Sequence, residues 1–222
     1  MSGRRAGLQE KNSPIRENNR HVTAWQKYNF LPLRKEKLKL MKPRGLDVLI
    51  AEIDRQQLWE EDICLARNEF VATPGDVNTN LYLVLEGTLR MYIQDDASEH
   101  IVRFGYQHNL VGVLDCLMTG RPTQLYMQAL KKTRLKPIRA EAFDKLVHST
   151  PALSEQYELI LKNLVHQQME REMDLLTASP QERYRRVLAR SPQLFNEVPH
   201  RHIASYLRMT PETLSRVKKE VE

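Results

Sequence analysis

The sequence predicts an α+β protein: an antiparallel, jelly-roll-like β-roll, then a long helix, then a C-terminal helical domain. Short apolar segments recur about every ten residues between positions 70 and 138, with turn residues between them, as in a β-roll. Apolar residues then follow a helical period from 151 to 177, and a pair of short amphipathic helices fills 200–221. We therefore expect four regions, namely a basic extension (1–40), the β-roll with its flanking helices (41–150), the long helix (151–178) and the helical domain (179–222).

Charge is distributed unevenly along the 222 residues, although the whole chain carries only +6. Residues 1–45 hold 12 Lys/Arg against 3 Asp/Glu, residues 46–177 hold 13 against 20, and residues 178–222 hold 9 against 5. An acidic middle followed by a basic C-terminal unit is typical of a sensor joined to a nucleic-acid binder.

Several classes of protein are disfavoured by what the sequence lacks. No apolar run approaches the roughly 20 residues of a membrane helix, and the N-terminus lacks the apolar segment of a secretory signal. We therefore expect a cytoplasmic protein that does not contact membranes. Cys64 and Cys116 are too few for a metal centre, and we expect reduced thiols. There is no glycine-rich phosphate loop, nucleophile motif or metal-ligand spacing, so we expect no enzymatic activity.

The N-terminal half is predicted to run from disorder through helices into strands. Residues 1–40 lack apolar periodicity and are basic, which predicts a disordered extension. Helical spacing follows in residues 46–65. The predicted strands begin at Phe70, Leu81, Thr88, His100, Leu110, Leu125 and Arg134, and a short helix spans Ala140 to His148.

The long helix is predicted to begin at Pro151, which Thr150 can cap. Its apolar stripe is wide and includes Val165, Met169 and Met173. One side can pack on the β-roll while the other pairs with the same helix of a second subunit, which predicts a homodimer. A helix buried within one chain is the alternative.

The C-terminal stretch reads as a helix-turn-helix. Ser179-Pro-Gln-Glu is a capping box that opens a helix after a hinge. Further on, Ile203, Ala204, Leu207, Met209, Leu214 and Val217 supply the apolar contacts between two short helices, and Thr210 caps the second. Arg208 occupies the turn, where the backbone tends toward positive φ at a cost of roughly 1 kcal/mol for a residue other than glycine. An ordinary helical hairpin packed only for stability is the alternative.

The string Ile203-Ala-Ser-Tyr-Leu-x-Met-Thr-Pro-Glu-Thr-Leu-Ser-Arg216 resembles the DNA-binding motif of the Crp/Fnr transcription regulators, and a weaker resemblance covers about residues 46–222. The resemblance implies that Glu212 and Arg216 contact bases, whereas Pro211 replaces an arginine that many members carry. We expect the remaining contacts to serve phosphates and positioning, from Arg201, Thr210, Thr213, Ser215, Lys218 and Lys219.

Within the β-roll, Tyr82-x-Val84-x-Glu86-Gly87 resembles a strand and turn of cyclic nucleotide-binding domains. The family's phosphate-binding cassette maps onto residues 111–123, where Gly112 is present but Val113 replaces the glutamate and Pro122 follows Arg121. Each missing partner costs roughly 1–3 kcal/mol, so we expect no cyclic AMP binding by the usual contacts. The effector-pocket residues implied are Gly112, Arg121 and Thr123.

Haem is the other effector that the resemblance suggests, but no spacing singles out a ligand among His100, His108, His148 and Cys116. We therefore expect no cofactor. The expected partners are double-stranded DNA, a second copy of the chain, RNA polymerase and an unidentified small-molecule effector. The alternative function is a regulatory module that binds a cyclic nucleotide or another small effector and whose C-terminal helices contact a protein partner.

Overall fold

The computed structural model describes residues 44–96 and 98–221, so the prediction of a disordered extension lies outside the described residues. The strands are β1 (Ile63–Leu65), β2 (Phe70–Ala72), β3 (Leu81–Glu86), β4 (Thr88–Gln94), β5 (Glu99–Tyr106), β6 (Leu110–Gly112), β7 (Tyr126–Ala129) and β8 (Thr133–Ile138). The helices are α1 (Arg44–Arg55), α2 (Leu114–Thr119), α3 (Ala140–Val147), α4 (Pro151–Leu176), α5 (Pro180–Arg190), α6 (Pro192–Glu197), α7 (His200–Tyr206) and α8 (Pro211–Val221).

The strands form two four-stranded antiparallel sheets, ordered β1-β8-β3-β6 and β2-β7-β4-β5. Alternate residues point to opposite faces, so each sheet turns one apolar face inward. The inner faces meet in a core that includes Val84, Leu89, Met127 and Leu135, all fully buried. This arrangement confirms the predicted α+β class and the antiparallel β-roll.

Gly87 makes the turn between β3 and β4 and could not be another residue without distortion. Its φ is +99°, and a Cβ built there would lie 2.3 Å from Thr133 Oγ1 and 2.7 Å from the carbonyl oxygen of Lys132. The turn therefore needs both the conformational freedom and the small size of glycine.

One local prediction is wrong, and two short helices were not predicted. Ile63 lies not in a helix but in β1, where it pairs with Leu135 of β8. The cassette segment folds into the short helix α2, which the sequence analysis missed although Gly120 terminates it at a φ of +66°. A second short helix, α6, was also not predicted; it begins at Pro192, a residue that suits the first turn of a helix.

The long helix and its successor are joined by capping groups and ion pairs. The Thr150 hydroxyl accepts from the Leu153 N–H, and the Ser179 hydroxyl accepts from the Glu182 N–H, as predicted. Asp174 on α4 is fully buried and pairs with Arg186 and Arg190 of α5. Within the described part of the chain, no helix has the length and apolar character needed to cross a membrane.

The helices α5 to α8 pack on the outer face of the second sheet. Tyr92, Ile101 and Phe104 point away from the roll interior and share one apolar cluster with residues of these helices, such as Tyr184 and Ile203. Phe104 contacts Tyr206 with ring centroids 5.5 Å apart. The four helices are therefore held against the sheet by shared burial as well as by the chain connection.

Candidate nucleic-acid interface and effector cavity

The helix pair α7–α8 is locked by apolar side chains at the predicted positions. Ile203, Ala204 and Leu207 of the first segment meet Leu214 and Val217 of α8, and each is at most 1% exposed. The small side chain of Ala204 suits the close crossing of the two helices. This packing fixes α8 relative to α7 and presents its opposite face outward.

Arg208 adopts the left-handed conformation expected for this turn, with a φ of +53°. The Arg208 N–H donates to the Ser205 carbonyl (3.1 Å), and the Met209 N–H donates to the Ala204 carbonyl (3.0 Å). The Thr210 hydroxyl then accepts from the Thr213 N–H (3.2 Å) and starts α8. The turn thus has the backbone that helix-turn-helix motifs need, despite the absence of glycine.

The exposed face of α8 collects most of the residues predicted to contact DNA. Glu212, Ser215, Arg216 and Lys219 line one shallow surface depression with Pro211. Thr210 is exposed just before the helix, whereas Thr213 and Lys218 are partly buried. Arg201 is exposed on α7, where its Nε contacts the Nε2 of His202 at 3.2 Å.

Charges on this face are available to a ligand. Arg216 is 69% exposed and lies 4.0 Å from Glu220, a loose pair that costs little to break. The Glu212 carboxylate accepts from its own backbone N–H and from the Thr210 hydroxyl, which lowers its pKa. A donor fork and an ionised acceptor therefore stand one helical turn apart.

A polar cluster at the contact of α7 with the second sheet was missed by sequence reasoning. Arg90 of β4 donates to Gln128 (2.8 Å) and to Glu99, and its Nη1 lies 3.2 Å from His202 Nδ1. The Ser205 hydroxyl donates to the Glu99 carbonyl oxygen (2.7 Å). Arg90 occupies a position that alternates with the apolar Leu89 and Met91, so no sequence pattern indicated that its side chain is buried in a polar cluster.

His202 is 5% exposed and sits between two guanidinium groups. Burial, Arg90 and Arg201 lower its pKa to about 4, and Glu99 opposes them. A neutral imidazole can accept only one hydrogen bond, so the ring cannot satisfy both arginines. Because the pKa is lowered to about 4, the ring is neutral at pH 7. Its protonation would weaken the contact between α7 and the second sheet.

A cavity of about 650 Å³ lies between the β-roll and the helices α3 and α4. Its lining is mostly apolar and includes Gly112, one of the three predicted pocket residues. Arg121 and Thr123 do not line it: Arg121 is exposed, and Thr123 is 3% exposed and faces Asp115. The predicted pocket residues are therefore not brought together around one space.

The cassette loop uses its own hydrogen-bond donors internally. The Asp115 carboxylate accepts from the Thr123 hydroxyl (2.9 Å) and from the Gln124 N–H (3.0 Å). Burial raises the pKa of Asp115, but these donors outweigh burial and leave the pKa below its usual value. Val113, at the position of the family's glutamate, is 1% exposed within the roll core.

The four residues considered as haem ligands have other surroundings. His100 contacts Asp95 (2.7 Å), His148 lies 3.4 Å from Asp144, and Cys116 is buried in the roll core. His108 adopts a positive φ of +66° in a turn. Over the residues that the structure describes, no three His, Cys, Asp or Glu side chains come close enough to hold a metal ion.

Residues 63–150 match the family model of the cyclic nucleotide-binding domain. Solved structures extend the similarity beyond this segment. FixK2 from Bradyrhizobium japonicum is 17% identical with a TM-score of 0.60, covering 72% of this chain and 83% of that one. A CooA variant from Carboxydothermus hydrogenoformans is 16% identical with a TM-score of 0.61, covering 78% and 83%.

A cyclic nucleotide-binding domain containing protein from Listeria monocytogenes is 14% identical with a TM-score of 0.59, covering 79% of this chain and 87% of that one. The structural neighbours include Crp/Fnr regulators, and this chain shares their fold. Among curated sequences, the lysophospholipase NTE1 of Cryptococcus neoformans is 26% identical over 145 residues, or 65% of this chain. This chain spans only 8% of that protein's length.

Proposed function

We propose that this chain is a sequence-specific DNA-binding transcription regulator of the Crp/Fnr type. The observation that carries the proposal is the exposed face of α8, which presents Glu212, Ser215, Arg216 and Lys219 together on a helix held by α7. An arginine fork pairs with a guanine edge in the major groove, and a carboxylate accepts from a cytosine amino group. If these residues were instead buried against the sheet, they could not contact DNA.

The proposed active form is a homodimer paired through α4. Val165, Met169 and Met173 recur every four residues, and they are 59%, 57% and 43% exposed; Leu176 follows at 78%. In the same C-terminal half of the helix, the buried residues are instead Arg171 and Asp174. An exposed apolar stripe, with polar residues buried in the same half of the helix, favours a second copy as its cover. The two α8 helices would then read an inverted repeat about one DNA turn, roughly 34 Å, apart.

The sensor domain is proposed not to bind cyclic AMP through the usual cassette contacts. The loop donors of Thr123 and Gln124 are occupied by Asp115, and Val113 offers no acceptor for a ribose hydroxyl. Losing each polar partner costs about 1–3 kcal/mol. RNA polymerase is a proposed partner only through this regulatory role.

The test is selection of bound sequences from random duplex DNA with the full chain, comparing wild type, Arg216→Ala and Arg185→Ala. Arg185 is an exposed arginine of α5 and serves as the matched control. We expect wild type and Arg185→Ala to enrich the same inverted repeat, and Arg216→Ala to lose preference at one base pair of each half-site, worth about 1–3 kcal/mol.

Salt dependence separates this function from its alternative. Binding through phosphates falls steeply as salt rises, by about one decade of affinity per decade of salt for each phosphate contact. An unchanged preference in Arg216→Ala would contradict the assigned role. Failure of wild type to enrich any sequence would favour the alternative in which the C-terminal helices contact a protein partner.

A further inference from the structure

The cavity between the β-roll and the helices α3 and α4 has the size and lining of a ligand site. Its volume of about 650 Å³ falls within the roughly 300–1,000 Å³ of typical small-molecule sites. Leu81, Met91, Val111, Phe143 and Ile160 give it mainly apolar walls. Such walls favour a ligand with a large apolar body.

One cation reaches this apolar space from within the roll. Arg103 lies on β5 opposite Met91 and lines the cavity with it. The other charged residues of the lining, Glu141, Asp144 and Lys145, are exposed on α3, whereas Arg103 is half-buried. The rim is therefore mixed in charge, and the charge inside is positive.

Among the described residues, the Arg103 guanidinium has neither a hydrogen bond nor an ion pair. This contrasts with Arg90 on the other face of the sheet, which contacts Glu99, Gln128 and His202. Burial lowers the pKa of Arg103, although guanidinium remains charged at neutral pH. A half-buried charge is less well solvated than one in open water, and an anion placed beside the Arg103 guanidinium would gain a charge-assisted hydrogen bond.

We propose that this cavity binds an amphipathic organic anion, a carboxylate on an apolar body, with Arg103 as the anion's partner. The anion contact thus lies on β5 and not at Arg121 of the cassette loop. Binding itself does not depend on DNA; only its regulatory consequence rests on the proposed function.

The test is titration calorimetry of the full chain with three probes that share a ten-carbon tail: decanoate, decanol and decyltrimethylammonium. We expect decanoate to bind most tightly and the cation most weakly. Arg103→Gln should weaken decanoate about tenfold to hundredfold, the range of a charge-assisted hydrogen bond, while leaving decanol unchanged. Unchanged decanol binding also reports that the variant is folded, and Arg103→Lys should recover part of the lost affinity.

Two control variants locate the anion contact. Arg121→Gln and Lys132→Gln, both at exposed positions outside the cavity lining, should each change decanoate affinity less than threefold. A larger effect of either one than of Arg103→Gln would overturn the assignment, as would equal binding of decanoate and decanol to wild type. Absence of binding by all three probes would overturn the site. None of these outcomes involves DNA, so failure here is distinct from failure of the DNA-binding proposal.

Discussion

His202 links the protonation of one side chain to the stability of the contact between α7 and the sheet. Its pKa is lowered to about 4 by burial, Arg90 and Arg201, with Glu99 acting in the opposite direction and Arg67 adding a weaker repulsion. In the unfolded chain the ring titrates near 6.5. Between these values the unfolded chain holds a proton that the folded chain lacks, so stability falls as pH decreases.

We therefore expect the free energy of unfolding of the wild type to fall between pH 6.5 and pH 4 more steeply than that of His202→Gln. The difference in slope for one proton is at most about 1.4 kcal/mol per pH unit. Urea titrations at several pH values measure this difference. Because both proteins contain the same carboxylates, the contribution of those groups cancels when the two pH profiles are compared. Parallel pH profiles for the two proteins would contradict the neutral, buried state of His202.

Some single residues were predictable because local chemistry decides them. The positive φ of Arg208 and the Thr150 and Ser179 caps follow from short-range geometry. Arg103 and His202 were not predictable. Their significance depends on which groups the sheets and helices bring near them, and no local pattern encodes that.

At the scale of the element, α4 has an apolar stripe that would be exposed to water in a monomer. We expect Val165→Glu combined with Met169→Glu to convert a dimer into a monomer while leaving the folded chain intact. Two carboxylates would have to be desolvated in the interface, whereas in the monomer these positions already face water. Sedimentation velocity measures the change.

The matched control is Gln167→Glu, which adds charge at an exposed position of the same helix, away from the apolar stripe. It should leave the sedimentation coefficient unchanged. A wild type that is monomeric at all concentrations would contradict the pairing of α4. Loss of helical signal in the double variant would instead mean that the stripe is needed within one chain.

Element types were predicted best where the apolar period was long. Nine strand and helix positions from Phe70 to Pro151 followed from alternation, helical spacing and turn residues. The errors were in short elements: β1 has three residues, whose pairing with β8 overrides a helical spacing. Helix α2 has six residues, and its Asp115 carboxylate holds the following loop through contacts that no spacing reveals.

At the scale of the whole molecule, one apolar cluster joins the second sheet to the C-terminal helices. We expect the amides of α7 to exchange with solvent through an opening whose free energy equals that of β4 and β5. The reason is that separation exposes Tyr92, Ile101 and Phe104 at the same time as residues of the helices. Native-state hydrogen exchange in rising denaturant measures both free energies.

Exchange of α7 at a clearly lower free energy would mean that the helices separate from the sheet without unfolding. In that case, the boundary predicted at residue 178 would act as a hinge about which the C-terminal helices move away from the sheet. The boundary itself stays a prediction, because the ion pairs of Asp174 with α5 cross it in this structure.

The aromatic face of the second sheet has a consequence for recombining this chain with others. Tyr92 stacks on Tyr126 with centroids 4.8 Å apart; Tyr92 is buried in the apolar cluster that includes the C-terminal helices, and Tyr126 packs partly buried against it. A chimera that transfers only the β-roll would expose this apolar surface to water and to aggregation. A chimera that transfers only the C-terminal helices would lose the sheet face on which they pack, so a graft of these helices onto another domain has to include that face.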